Sequence, residues 1–190
     1  GEYDYQRVLL AASPGVGDGT LLLGLDYSHA DGPWEMPQDF RKVNGLAKYS
    51  HGDAAGGLAV TAMGYDGRWD STDQIPLRAT RAGCEQIPFC ISRFGYVDPT
   101  DGGESHRYSL SFDGWSRNED GRGWTVHAYG MDYHLRLISN FTYALDPVNG
   151  DQFEQYDDRR VYGGRFKYAW PASLAAAPGT LRAGLEARHD

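Results

Sequence analysis

The chain has 190 residues, a length for one domain, and its apolar fraction of 41% is enough to supply a buried core. Its net charge of −8, from 26 acidic against 18 basic residues, excludes a nucleic-acid partner, because phosphate binding needs clustered Lys and Arg. No run approaches the roughly 18 consecutive apolar residues of a helical membrane span, and Gly1 leads straight into strand-like sequence without a basic and apolar leader.

From the N-terminus, Tyr3 to Ser13 reads as a strand with an apolar end, closed by the turn-rich Pro14 to Gly19. The next strand alternates cleanly, with Leu21, Leu23, Leu25 and Tyr27 on one face and Gly24, Asp26 and Ser28 on the other. A longer joint, Asp31 to Asp39, leads to a strand that ends at the short joint Gly52 to Gly57. Leu58 to Trp69 follows, then the longest joint, Asp70 to Glu104, and Arg107 to Arg117, whose aromatics are split between faces. After Asn118 to Gly123, the stretch Trp124 to Leu137 sets Tyr129, Met131, Tyr133, Leu135 and Leu137 against Gly130, Asp132, His134 and Arg136. Ser139 to Asp158 is the third long joint. Beyond it Tyr162, Phe166, Tyr168 and Trp170 oppose Arg165 and Lys167, and after a turn at Ala172 to Gly179, Leu181, Ala183, Leu185 and Ala187 oppose Arg182, Glu186 and Arg188.

Eight strands joined by connections that are alternately short and long predict an all-β, antiparallel, up-and-down transmembrane β-barrel. Short turns occupy one rim and long loops the other, so function belongs to the three long loops. On this reading the greasy positions, Tyr129, Tyr133 and Phe166 among them, face lipid, while Asp132 and Arg165 face water. The mean hydropathy of −0.57 fits such a barrel as well as a soluble protein, since only alternate strand residues touch lipid. Trp34, Trp69, Trp115, Trp124 and Trp170 lie near strand ends, as interfacial girdles require. A soluble β-sandwich also alternates, but its strands run about five or six residues, shorter than these.

The loops carry longer motifs. Trp69-Asp-Ser-Thr-Asp-Gln-Ile-Pro-Leu-Arg-Ala79, Arg93-Phe-Gly-Tyr-Val-Asp-Pro-Thr-Asp-Gly-Gly103 and Ser139-Asn-Phe-Thr-Tyr143 resemble the barrel of TonB-dependent outer-membrane receptors. Asp146-Pro-Val-Asn-Gly-Asp-Gln-Phe-Glu-Gln155, Asp31-Gly-Pro-Trp-Glu35 and Arg41-Lys-Val-Asn-Gly45 are similar to the same family, so the resemblance covers nearly the whole chain. It implies the bacterial outer membrane and energy-coupled import of a scarce ligand, a siderophore, cobalamin or an oligosaccharide. It also implies as partners outer-membrane lipid, a plug domain, the rest of a wider barrel and the TonB complex. The chain contains neither plug nor coupling box and ends without a terminal aromatic residue. Residues 1–190 are therefore expected to be one contiguous sector of the barrel domain of a larger receptor.

Eight strands cut from a wide barrel leave unpaired groups on both edges. Closure as a narrow eight-stranded barrel, serving as an adhesin or anchor, is the alternative within the same class. A secreted or periplasmic carbohydrate-binding sandwich is the alternative outside it.

Candidate ligand-binding residues are Trp34, Trp69, Asp73, Gln74, Arg93, Asp98 and Asp101 in the first two long loops and Asp146, Asn149, Asp151 and Gln152 in the third. Each reads equally well as a turn former or loop-packing residue, Asp98-Pro99 and Asp101-Gly102-Gly103 most plainly. Cys84 and Cys90 lie close enough to form a disulfide outside the cytosol. No metal or cofactor is expected, because Asp146, Asn149 and Asp151 miss the EF-hand spacing. The histidines, His29, His51, His106, His127, His134 and His189, form no short-range pair. Catalysis is not expected either, for want of a Gly-x-Ser-x-Gly elbow, a His-Glu-x-x-His pair or a phosphate loop.

Overall fold

The computed structural model describes residues 1–71, 73–75, 77–81, 90–140, 150–174 and 177–190. They form a single antiparallel sheet: β1 (Gln6–Ala12), β2 (Gly15–Val16), β3 (Gly19–Ala30), β4 (Phe40–Gly52), β5 (Gly56–Asp70), β6 (Gly102–Arg117), β7 (Gly123–Ser139), β8 (Phe153–Leu174) and β9 (Ala177–His189). The order is β1-β3-β4-β5-β6-β7-β8-β9, with the two-residue β2 also on β3, so each long strand pairs with its neighbours in sequence. Two 3₁₀ turns, Glu2–Asp4 and Leu77–Thr80, lie outside the sheet.

The alternation of joints expected from the sequence is present. The short connections are closed by side-chain turns: Asp53 Oδ1 accepts from the Ala55 and Gly56 N–H groups at 2.8 and 3.2 Å, and Asp120 Oδ1 accepts from the Arg122 N–H at 3.1 Å. Gly121 supplies the left-handed φ of 83° that the Asn118–Gly123 turn needs.

The last short joint is tighter than the sequence implies. Leu174 pairs with Ala177, and Ala172 and Ser173 pair with Gly179 and Pro178, so the Ala-rich stretch largely continues the hairpin. Pro171 is tolerated because β7 starts opposite Ala169, leaving this end of β8 with no neighbour on that side. At the other end, β8 begins at Phe153, five residues before the expected Asp158.

Every ladder runs without a bulge, so the register assigns each strand residue to a face. One face carries Val8 and Leu10 of β1, Leu21 to Tyr27 at alternate positions of β3, and Val43, Ala47 and Tyr49 of β4. It continues through Val60 and Ala62, then Tyr108, Leu110 and Phe112, then Val126 and Ala128. Tyr162, Phe166, Tyr168 and Trp170, with Leu181, Ala183 and Leu185, complete it.

Much of this apolar face is bare: Leu110 is 57% exposed, Tyr162 54% and Leu185 80%. The opposite face carries Arg7, Lys42, Lys48, Arg107, Arg159, Arg165, Lys167, Arg182 and Arg188, against Asp26, Asp113, Asp157 and Glu186. That face is net basic in a chain whose overall charge is −8.

The register overturns part of the expected assignment. Met131 pairs with Val161, Tyr133 with Arg159 and His127 with Arg165, so Tyr129 and Tyr133 share a face with Arg165 and Lys167. Asp132, expected on the wet side, shares a face with Phe166 and Tyr162. The reason is local. On the apolar face β7 contributes only the small Ala128 and Gly130 at mid-height, and above them the strand rises beyond the apolar band into Asp132, His134 and Arg136.

There the charges of neighbouring strands meet. Arg160 Nε donates to Asp132 Oδ2 at 3.2 Å, and the His106 and His134 rings stack with centroids 5.1 Å apart. That imidazole pair lies across two strands, a long-range contact that leaves the expectation of no short-range pair untouched. Trp34, Trp69 and Trp115 also leave the expected girdles: Trp34 sits in a long connection, and Trp69 and Trp115 are on the charged face.

Aromatic rings cover the glycines of both faces. Tyr108 lies over Gly64 and Tyr162 over Gly130 on the apolar side, and Tyr129 lies over Gly163 on the other. The sheet remains open. β1 and β9 are exposed along their whole lengths and do not pair with each other, so the narrow self-closed barrel is not formed among the described residues. Among the described residues the buried apolar ones are few, Ala59, Ala79 and Val161, as one layer without a second to pack on dictates.

Candidate ligand-binding mouth

The three long connections gather at one rim, where β3, β5 and β7 end and β4, β6 and β8 begin. Backbone hydrogen bonds knit the first two together. Glu35 N–H donates to the Phe94 carbonyl at 2.9 Å, Asp70 N–H to that of Gln38 at 2.7 Å, and Ser71 N–H to that of Asp101 at 2.9 Å. Trp34 packs its ring 6.2 Å from that of Phe94, and Ser92 donates its hydroxyl to Glu35. Of the sequence candidates, Trp34 therefore serves the joint between the first and second connections.

The second and third connections meet through Asp98. Its Oδ1 accepts from the Thr100 N–H at 2.9 Å and the Thr100 hydroxyl at 2.7 Å. Its Oδ2 accepts from Asn140 Nδ2 at 3.0 Å and Gln152 Nε2 at 3.1 Å. A carboxylate is an acceptor only, and these four donors fill it. Asn140, fully buried, uses both ends of its amide, since its Oδ1 accepts from the Asp151 N–H at 3.1 Å. Gln152 also reaches the Thr100 hydroxyl at 2.6 Å. Burial on its own would raise the Asp98 pKa, but the hydrogen bonds from Asn140 and Thr100 outweigh it and hold the carboxyl below its ordinary value.

Asp101, three residues on, is driven the opposite way. It is 2% exposed, and burial first, with the Asp98 and Asp73 charges adding to it, pushes it up to about 6. Beside these groups a cleft of about 380 Å³ opens between Asp39, Arg68, Trp69, Asp101, Glu104 and Arg136. Trp69 is its aromatic wall, lying directly over Gly103, where a Cβ would come within 2.8 Å of the ring. Asp39 links the walls by ion pairs to Arg41 at 2.8 Å and Arg68 at 3.3 Å.

Asp73, Asp98, Asp101 and Gln152, with the Asp151 backbone, thus come together in one cluster, and Trp69 lines the adjoining cleft. Gln74 and Arg93 are exposed, and neither joins the cluster's hydrogen bonds or ion pairs among the described residues. Asp146, Asn149 and Cys84 lie outside the described residues; Cys90 is disulfide-bonded.

Sequence reasoning missed Thr100 and the central place of Asn140, because their partners lie far along the chain. It also missed the convergence of Asp4, His29 and Asp31, whose ligand atoms lie within 4.8 Å of one another. There His29 Nδ1 faces the Phe40 carbonyl at 3.1 Å, and Nε2 meets Asp4 at 3.2 Å and Asp31 at 3.8 Å. These contacts tie the first 3₁₀ turn to the start of the first long connection.

Chemically, the mouth offers carboxylates, amides, hydroxyls and one indole. Such a surface suits a polar, multiply hydroxylated or cationic ligand. Comparison with protein-family models, with curated proteins and with solved structures finds no match to this chain.

Proposed function

We propose that this chain is a sector of the barrel of a TonB-dependent outer-membrane receptor and takes part in the energy-coupled uptake of a scarce ligand, without enzymatic activity of its own. One observation carries the reading: a single open antiparallel sheet bears an exposed apolar band on one face and, on the other, a net basic surface in which fewer large apolar side chains, Leu9, Leu22 and Met63 among them, stand exposed. Leaving a Leu-sized side chain in water forgoes roughly 1.5–3 kcal/mol, so a sheet with this many bare apolar side chains needs a cover. Hydrocarbon covers them without a second protein layer.

From Tyr162 to Trp170 on β8 the band runs about 26 Å along the strand at roughly 3.3 Å per residue, or about 20 Å of height at the roughly 40° tilt of barrel strands, somewhat short of the apolar belt of about 25 Å. On this reading the charged face lines the passage, and the knitted connections form part of its outer mouth. The open edges of β1 and β9 are completed by further strands of the receptor, whose plug fills the lumen.

A carbohydrate-binding sandwich would bury the apolar face of one sheet against another, and the described residues form only one sheet. Sidedness provides the test. Arg93, in a long connection, and Arg122, in a short turn, are both exposed. Trypsin added to intact cells is expected to cut beside Arg93 and to reach Arg122 only after the outer membrane is opened. Recovery of the protein in a soluble fraction, or equal cutting at both sites in intact cells, would refute the reading.

A further inference from the structure

Among the described residues, two buried side-chain oxygens have no hydrogen-bond donor, Asp73 Oδ2 and Asp101 Oδ1. Buried polar atoms are normally satisfied, and an orphaned carboxylate oxygen is the most expensive kind to leave bare. Both belong to the mouth and to one neighbourhood. The Ser71 N–H bond to the Asp101 carbonyl ties the start of the Asp73 segment to Asp101, and Ser71 Oγ donates to the other oxygen of Asp73 at 3.3 Å. Asp73 and Asp98 are near enough for their charges to act on Asp101.

No Lys, Arg or His among the described residues pairs with Asp73 or Asp101, so among those residues the negative charge gathered there has no counter-ion. A proton on Asp101 would relieve one carboxylate and leave Asp73 untouched. Asp98 cannot rearrange to help, because its four acceptor sites are taken.

We propose that Asp73 and Asp101 together hold a hard divalent cation of the calcium class at the mouth, with Asp98 supplying fixed negative charge behind them. The donor set consists of oxygen, with neither imidazole nor thiolate among the named groups, which selects Ca²⁺ over Zn²⁺ and its neighbours. Ca²⁺ rather than Mg²⁺ follows from the irregular donor arrangement, since Ca²⁺ accepts variable geometry and completes its shell with water, whereas Mg²⁺ demands an octahedron. Two protein carboxylates place the affinity in the weak class of extracellular calcium modules, with a dissociation constant on the order of 10⁻⁴ to 10⁻³ M. Occupancy would brace the start of the second connection, at Asp73, against its end, at Asp101, next to the Asp98 contacts that reach the third, so the mouth would be ordered in calcium and looser without it. The inference does not depend on the transport reading.

Equilibrium dialysis of ⁴⁵Ca²⁺ against the full-length protein in detergent, with Asp73→Asn and Asp101→Asn as variants, tests it. The expected result is saturable binding from which either variant removes one equivalent or weakens it at least tenfold, with Mg²⁺ a poor competitor. Asp31→Asn, in the separate His29 cluster, should leave binding unchanged. Absence of saturable binding in the unaltered protein overturns the proposal, as does binding unchanged in both variants. If Asp101→Asn fails to fold, Asp73→Asn carries the same test.

Discussion

Replacing Asp98 should unfasten the mouth, and the size of the effect follows from its four donors. Asp98→Ala removes the acceptor for Asn140 Nδ2, Gln152 Nε2, and both the N–H and hydroxyl of Thr100. Hydrogen bonds to a charged group contribute roughly 1.5–3 kcal/mol each, and a buried donor left unpaired costs about 1–3 kcal/mol. Asn140 is fully buried and cannot turn to water, whereas Gln152 and Thr100 are exposed and recover hydration. The net loss of docking free energy is therefore about 3–5 kcal/mol, well below the sum of the separate bonds.

Asp98→Asn gives the sharper comparison. An amide presents one acceptor and one donor group, so whichever way it turns its NH₂ meets a pair of donors. The isosteric change should cost at least about 2 kcal/mol, close to the alanine variant. Hydrogen exchange reads the outcome at two amides held by the cluster, Thr100 N–H on Asp98 and Asp151 N–H on Asn140. If opening there is local, a loss of 2 kcal/mol speeds their exchange about thirtyfold. Protection in Asp98→Asn within threefold of the unaltered protein would refute the four-donor account.

Other predictions follow from the same geometry. In chelator, the two mouth aspartates respond to pH with opposite signs. Asp98, held below its ordinary pKa, contributes stability above 3.8 that is lost as pH falls through its lower folded value. Asp101, raised from 3.8 to about 6, contributes stability that is full below 3.8 and lost as pH rises through about 6, an effect of about 3 kcal/mol at most. Exchange at Thr100 should be slowest near pH 4 after correction for the intrinsic rate, and Asp101→Asn should abolish the loosening between 4 and 6; a flat profile in the unaltered protein counts against these shifts. Gly103→Ala places a methyl group against the Trp69 ring and the Arg136 carbonyl, each 2.8 Å away, so the indole should leave the cleft wall and its fluorescence shift to the red; an unchanged spectrum speaks against the packing. Leu110→Arg, at the centre of the apolar face, should cost about 2–4 kcal/mol in lipid by urea unfolding, and Ser109→Arg, on the charged face, less than about 1. Equal costs would show that the faces do not differ in solvent.

The hairpin rhythm was legible because turn chemistry is local. Asp53 and Asp120 bond amides two or three residues away, so a reader of the sequence sees the whole device. Face assignment was legible in β3 and β8, where the large side chains alternate with charges through the apolar band. It failed in β7 because the apolar-side residues there are Ala128 and Gly130, too small to stand out beside the Tyr129 and Tyr133 of the other face. Only the register, anchored by the strands on either side, settles that strand.

The site was half legible. Asp98, Asp101 and Gln152 stand out as polar loop residues, but Asp98 meets its partners 42 and 54 residues further along the chain, and no local pattern announces such a contact. The opposed shifts of Asp98 and Asp101 depend on burial and donor placement, which the motif Asp98-Pro-Thr-Asp101 does not encode by itself.

The central claim is that one face of this sheet meets hydrocarbon and the other water, and collisional relaxation of spin labels in the full-length protein in lipid vesicles tests it most directly. Labels at Leu110 and Phe166 should relax with oxygen dissolved in the bilayer, and labels at Ser109 and Tyr129, one residue from the apolar-face Leu110 and Ala128, with a water-soluble nickel chelate. If all four labels respond to the chelate, or if the two pairs exchange behaviour, the account is wrong.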